Sequence, residues 1–109
     1  MGKPKTGGDC FDANAEYLLY HMNPNDNPLL VHGIVRNSGD GKPMGHCWIE
    51  HGDEVICRAN GNDLVLPKDL YYALGNINDE NCFKYNHKEV LEWTGYTEHW
   101  GPWELDSPR

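Results

Sequence analysis

Cys10 and His46 are the two side chains whose types and settings best suit chemistry in this 109-residue chain. Cys10 follows Gly7-Gly8-Asp9 and opens the strongest helical pattern in the sequence, Asp9 to Met22. The first turn of a helix gathers unsatisfied backbone N–H groups and about half a positive charge, which favours thiolate over thiol. Cys10 is therefore a candidate nucleophile. His46 lies in Gly45-His46-Cys47-Trp48-Ile49-Glu50, a strand-like run. An imidazole that titrates near neutrality suits the base that takes a thiol proton and returns it to a leaving group. Each residue also has a plainer role: Cys is among the most buried residue types, and a strand His is often just a hydrogen-bonded polar group.

The elements that must position these groups are readable. Phe11, Ala15, Leu18, Leu19 and Met22 form one apolar stripe behind an Asp9 N-cap, which predicts an amphipathic helix. Asn23 to Pro28 breaks it with turn-forming Asn, Asp and Pro. Leu29 to Val35 reads as a strand whose Gly33 marks a bulge or a close approach of backbone, and Asn37 to Pro43 as a polar connection suited to a mobile flap. Gly45 to His51, a two-residue Gly52-Asp53 turn and Glu54 to Ala59 predict a β-hairpin. With His51 opposite Glu54, Trp48 faces Cys57 and His46 faces Ala59. His46, Trp48, Val55, Cys57 and Ala59 then share one face, while Cys47 and Ile49 point to the other.

Asn60 to Asp63 reads as a turn and Leu64-Val65-Leu66 as a short strand. Pro67 to Leu74 predicts a helix that buries Leu70, Leu74 and one of Tyr71 or Tyr72, ending on a left-handed Gly75. Asn76 to Phe83 reads as loop. A third helix starts at Asn86, with Glu89 completing a capping box, Tyr85 and Val90 forming a hydrophobic staple, and Gly95 as the stop. The tail Tyr96 to Leu105, with Trp100 and Trp103 around Gly101-Pro102, is aromatic enough to strap back onto the core, and Trp93 also closes it. His21, His51, His87 and His99 read as surface groups.

Length suits a single domain over residues 1–109, with a flexible stretch at 1–8 and one small core burying roughly 60–70% of the unfolded surface. No repeat, low-complexity tract or linker divides it. With 39% hydrophobic residues and no run of about 18 apolar residues, the sequence predicts a globular protein without a membrane segment. The start lacks the apolar stretch of a secretion signal, which predicts a cytoplasmic chain; Gly2 and Thr6 match a myristoylation pattern too short to weigh. Four cysteines without a secretion signal or a C-x-x-C pair read as reduced thiols. A net charge of −8, with no basic cluster to offset it, repels phosphates and argues against a nucleic-acid partner; the acidity reads as solubility.

Gly8-Asp9-Cys10-Phe11 at a helix start, then Gly45-His46-Cys47-Trp48-Ile49-Glu50, a hairpin and a return strand, resembles the Gly-x-Cys and His-Ala-Trp-Val-Glu motifs of papain-like and transglutaminase-like folds, which include cysteine peptidases and cell-wall amidases. The likeness covers roughly residues 7 to 63, and the remainder, including Pro67 to Tyr72 and Gly101 to Glu104, is similar to small bacterial and phage proteins of that type. It implies an α+β, papain-like core: an N-terminal nucleophile helix on a small antiparallel sheet, plus two short C-terminal helices. It also implies thiol-dependent hydrolysis or acyl transfer at an amide or thioester, without a cofactor. Cys10 would attack, His46 would move the proton, and the Cys10 N–H with a donor from Thr6-Gly7-Gly8 would hold the oxyanion. Peptide, isopeptide and peptidoglycan stem are all open as substrates.

Two departures from the pattern stand out. The Gln that papain-like enzymes carry shortly before the Cys has no counterpart, since the chain contains no Gln. An Asp on the return strand would orient the His, but the register puts Cys57 there, and a thiol orients imidazole poorly. Asn60 is the favoured third member, as papain-like enzymes use Asn, with Asn62 and Asp63 as alternatives; Asn60 is equally an ordinary turn residue before Gly61. The same departure opens other readings. Cys10, His46 and Cys57 are zinc-compatible, with His32, Asp63 or water as a fourth ligand, although short-range ligand pairs are missing. A Cys10–Cys57 disulfide is a further option, and a binding module could use the cleft between helix and hairpin without turnover.

Overall fold

Leu29 to Val35 carries apolar residues on both sides of its pleat, which a strand does when both faces of its sheet are covered. A computed structural model describes residues 10–36, 41–59 and 62–105. The strands are β1 (Leu29–Arg36), β2 (Pro43–His51), β3 (Glu54–Ala59), β4 (Asn62–Pro67) and β5 (Phe83–Tyr85), and the helices α1 (Cys10–His21), α2 (Lys68–Leu74) and α3 (His87–Thr97). They form one five-stranded antiparallel sheet in the order β4-β3-β2-β1-β5. Helix α1 lies across β2, β3 and β1 on one face, with α3 beside it, and α2 covers the other face at β3 and β4. The fold is therefore α+β, with an N-terminal helix packed on an antiparallel sheet.

Each face has its own core. Phe11, Ala15 and Leu18 of α1 meet Leu30, Cys47 and Ile49 of the sheet, together with Tyr85 and Val90. On the other face, Val31, Trp48, Val55 and Cys57 pack with Tyr71, Tyr72 and Ile77. Gly33 explains how Trp48 fits: a Cβ there would lie 2.8 Å from Trp48 Cη2 and 2.9 Å from Cys82 Sγ. The glycine marks a close approach, of a ring to backbone.

The hairpin register follows the turn, pairing Ile49 with Ile56, Glu50 with Val55 and His51 with Glu54. The predicted staple pair, Tyr85 and Val90, shares one cluster, and the capping box of Asn86 and Glu89 is formed. Trp93, Trp100 and Trp103 all pack on the α1-side core. Several expectations are corrected. Leu70 and Leu74 are exposed, and Tyr71 and Tyr72 turn inward instead, packing on Trp48 with Tyr71 tilted and Tyr72 edge-on. Gly75 is not left-handed (φ −92°); a Cβ there would crowd Ile77 and Val35. Helix α3 runs through Gly95 and ends on a left-handed Glu98. The supposed loop at 76–83 contains a 3-10 turn, Asp79–Asn81, and leads into β5, too short to announce itself by alternation. His51 and His87 are half-buried, with His87 Nε2 3.4 Å from the Leu19 carbonyl oxygen.

Candidate thiol and imidazole site

The hairpin is expected to stay paired up to His46 and Ala59, but described pairing stops at Ile49 and Ile56. Asn14 of α1 occupies the opening. Its Nδ2 lies 2.7, 3.0 and 2.9 Å from the carbonyl oxygens of Cys10, Cys47 and Arg58, which share its two protons, and its Oδ1 accepts from the Arg58 N–H at 3.0 Å. One side-chain amide thus imitates a peptide unit between β2 and β3 and satisfies backbone groups that a parted ladder leaves open. The same contacts tie the first turn of α1 to the strands. Cys10, one turn before Asn14, is fully buried in the cluster that holds Phe11 and Cys47.

His46 points to the other face, as the alternation requires. Its Nε2 is 3.4 Å from Cys57 Sγ, and the Tyr71 hydroxyl donates to the same sulfur at 3.7 Å. His46 Nδ1 is buried and has no hydrogen-bond partner among the described residues. Burial holds the imidazole below its ordinary pKa. It pushes the Cys57 thiol up, with the Tyr71 hydrogen bond pulling partly back. Cys47 is raised further, by burial first and then by the nearby Cys10 and Cys57 sulfurs. Tyr71 is raised by burial and also by the charges that Cys57, Cys10 and Cys47 would carry. At neutral pH the site holds a neutral imidazole beside the neutral Cys57 thiol, with a neutral Cys47 thiol on the α1 side.

The chain matches no protein-family model, curated protein or solved structure.

The structure thus brings His46 and Cys57 together, through the face-sharing that the hairpin register predicts, and seats Cys10 with Cys47 on the α1 side. Asn60, the Asp9 cap, Thr6-Gly7-Gly8 and most of the polar connection after Val35 lie outside the described residues, as does the Asn62 side chain. Asp63 is no partner for His46: it is exposed and paired to Arg58 at 3.0 Å, whose guanidinium lies over Tyr17 on the α1 side. The zinc reading fails on geometry. Among the described residues no group of three or more His, Cys, Asp or Glu side chains is placed to hold a metal, and none of the four cysteines is in a disulfide. His32 is buried among Phe11, Tyr85 and Trp103 on the α1 side, away from Cys57. Two contributors escaped the sequence reading. Asn14 interrupts the apolar stripe at a position between Phe11 and Ala15, a legible signal; Tyr71 carried none beyond its aromatic character.

No helix among the described residues is long and apolar enough to cross a membrane.

Proposed function

We propose that this domain performs thiol-dependent acyl chemistry, hydrolysis or transfer at an amide or thioester, with Cys10 as nucleophile, His46 as base and Cys57 holding the imidazole. The observation that carries the reading is the asymmetry of His46. A base works best with one ring nitrogen fixed and the other vacant. Here Nε2 rests on Cys57, while Nδ1 is buried and unpartnered among the described residues. The lowered pKa keeps the ring in the form that accepts a proton.

In this reading local opening where β2 and β3 part first brings Cys10, seated on the α1 side, to His46 on the other face; the Cys10 proton then passes to His46 Nδ1 as Sγ bonds to the substrate carbonyl carbon. The bond to the amine or thiol leaving group then breaks, and that group takes the proton from Nδ1. Water attacks the resulting thioester, giving its proton to His46, and the acid leaves as the proton returns to Cys10 Sγ. The position of Cys10 at the start of α1 favours the thiolate and supplies a backbone N–H for the oxyanion. Because Cys10 is covered, the reaction waits on local opening. That burial favours a second reading, a binding module that keeps the fold without turnover.

Iodoacetamide labelling across pH, mapped by peptide mass, together with acetyl transfer from a simple thioester, separates the two. The enzyme reading expects Cys10 to alkylate near neutral pH, at least about tenfold more slowly in His46→Ala, and to carry an acetyl group transiently. Alkylation of Cys10 at the same slow rate in both proteins, with no acetyl adduct, selects the binding module.

A further inference from the structure

The face that carries His46 also carries a groove of about 220 Å3. Val35, Met44, Leu64, Leu66 and Leu74 form its walls, and its polar groups are the His46 ring and Tyr71. None of its lining side chains is charged. Leu64 and Leu74 stand 47% and 59% exposed, a cost in apolar surface left in water that a bound aliphatic group would recover.

Resting on the assignment of His46 as base, we infer that this groove seats the acyl half of the substrate, and that this half is an uncharged aliphatic group. The acyl half is the one that stays bound through both steps, whereas the leaving group departs after the first. A groove that has His46 in its wall therefore serves the half that needs His46 twice. At ~30 Å3 per water-sized group, the cavity takes about seven such groups, which matches a medium acyl chain or one leucine-like side chain with its neighbouring backbone. A carboxylate or ammonium would lose its hydration there with no charged partner.

The test is a series of neutral p-nitrophenyl esters, acetyl to decanoyl, with an N-acetylleucyl ester in parallel. Nitrophenolate release and the mass of acylated Cys10 are both read. The specificity constant should rise by about fourfold per methylene, the factor that ~0.8 kcal/mol per buried CH2 gives, and level off near octanoyl. Leu64→Glu and Leu74→Glu, in the groove wall, should cut the octanoyl-to-acetyl preference by about tenfold or more. A preference for octanoyl identifies a lipid-like chain and one for N-acetylleucyl a peptide side chain; either supports the inference. A flat series with Cys10 acylated overturns the groove assignment and leaves the Cys10 and His46 chemistry standing. If no ester acylates Cys10, that chemistry falls. Backbone amide NMR of Cys10→Ala with octanamide then still decides the groove: shifts centred on Leu64, Leu66 and Gly75 support it, and shifts elsewhere or none overturn it.

Discussion

Under the proposed chemistry, Cys57 sets how good a base His46 would be. A thiol whose pKa is raised by burial contacts Nε2 without a charge to stabilise imidazolium, so nothing opposes the burial that lowers the His46 pKa. A carboxylate in its place would favour the charged ring. In Cys57→Asp the His46 pKa, followed by the imidazole Cε1 proton resonance, should rise by about one unit or more, and the pH onset of Cys10 alkylation should rise with it; an unmoved pKa would mean that residue 57 does not orient the ring. Asn14 is the other residue with disproportionate weight. Asn14→Ala leaves the Cys47 carbonyl and the Arg58 N–H and carbonyl without their partner in a buried setting. That should cost roughly 3 kcal/mol in urea melts, and Asn14→Asp should not rescue it, since a carboxylate cannot donate. Much of this neighbourhood was legible: a two-residue turn fixed which hairpin side chains share a face, and that alone put His46 with Cys57. Asn14 was legible only as a polar residue on the apolar stripe; its partners were not, because hydrogen bonds between residues 44 positions apart leave no local pattern.

At the scale of elements, helices with end signals were readable and those positioned by packing were not. Asn86 and Glu89 form the predicted capping box, so Asn86→Ala should cost about 1 kcal/mol, measured by the same melts. Helix α2 turned the other way round from its periodicity because two tyrosines bury more area against Trp48 than two leucines would, leaving Leu74 at the groove. Strand β5 is three residues long, too short for alternation to show, and exists because β1 offers it an edge. Gly33 is where β1 and β2 constrain each other most tightly. A Cβ at 2.8 Å from Trp48 cannot be accommodated without moving that ring. Gly33→Ala should therefore destabilise by about 1–3 kcal/mol and shift the Trp48 ring resonances; a melt unchanged from wild type would show that the ring has slack.

At the scale of the whole molecule, His32 joins α1, β1, β5 and the C-terminal segment. Its ring is buried against Phe11, Tyr85 and Trp103 at centroid distances of 5.0, 5.1 and 5.0 Å, and neither nitrogen has a hydrogen-bond partner among the described residues. The segment closes over it at Gly101, where φ is +117° and a Cβ would lie 2.9 Å from His32 Cε1, and Tyr85 anchors it by donating to Glu104 at 2.7 Å. Burial lowers the His32 pKa to about 3. The sign of the linkage follows. Between about pH 6.5 and pH 3 the unfolded chain binds a proton at this site that the folded chain refuses, so stability falls as pH falls through that window and is unaffected by this group above it. From pH 7 to pH 5 the group alone should remove about 2 kcal/mol. His32→Phe keeps the ring contacts and removes the titration. Its urea-melt stability should therefore decline less than that of the wild type over that interval, by about the same 2 kcal/mol, with His46, lowered in the same direction, contributing equally to both proteins. Parallel declines would show that the aromatic enclosure admits a proton, and with it water, at a cost far below what its packing implies.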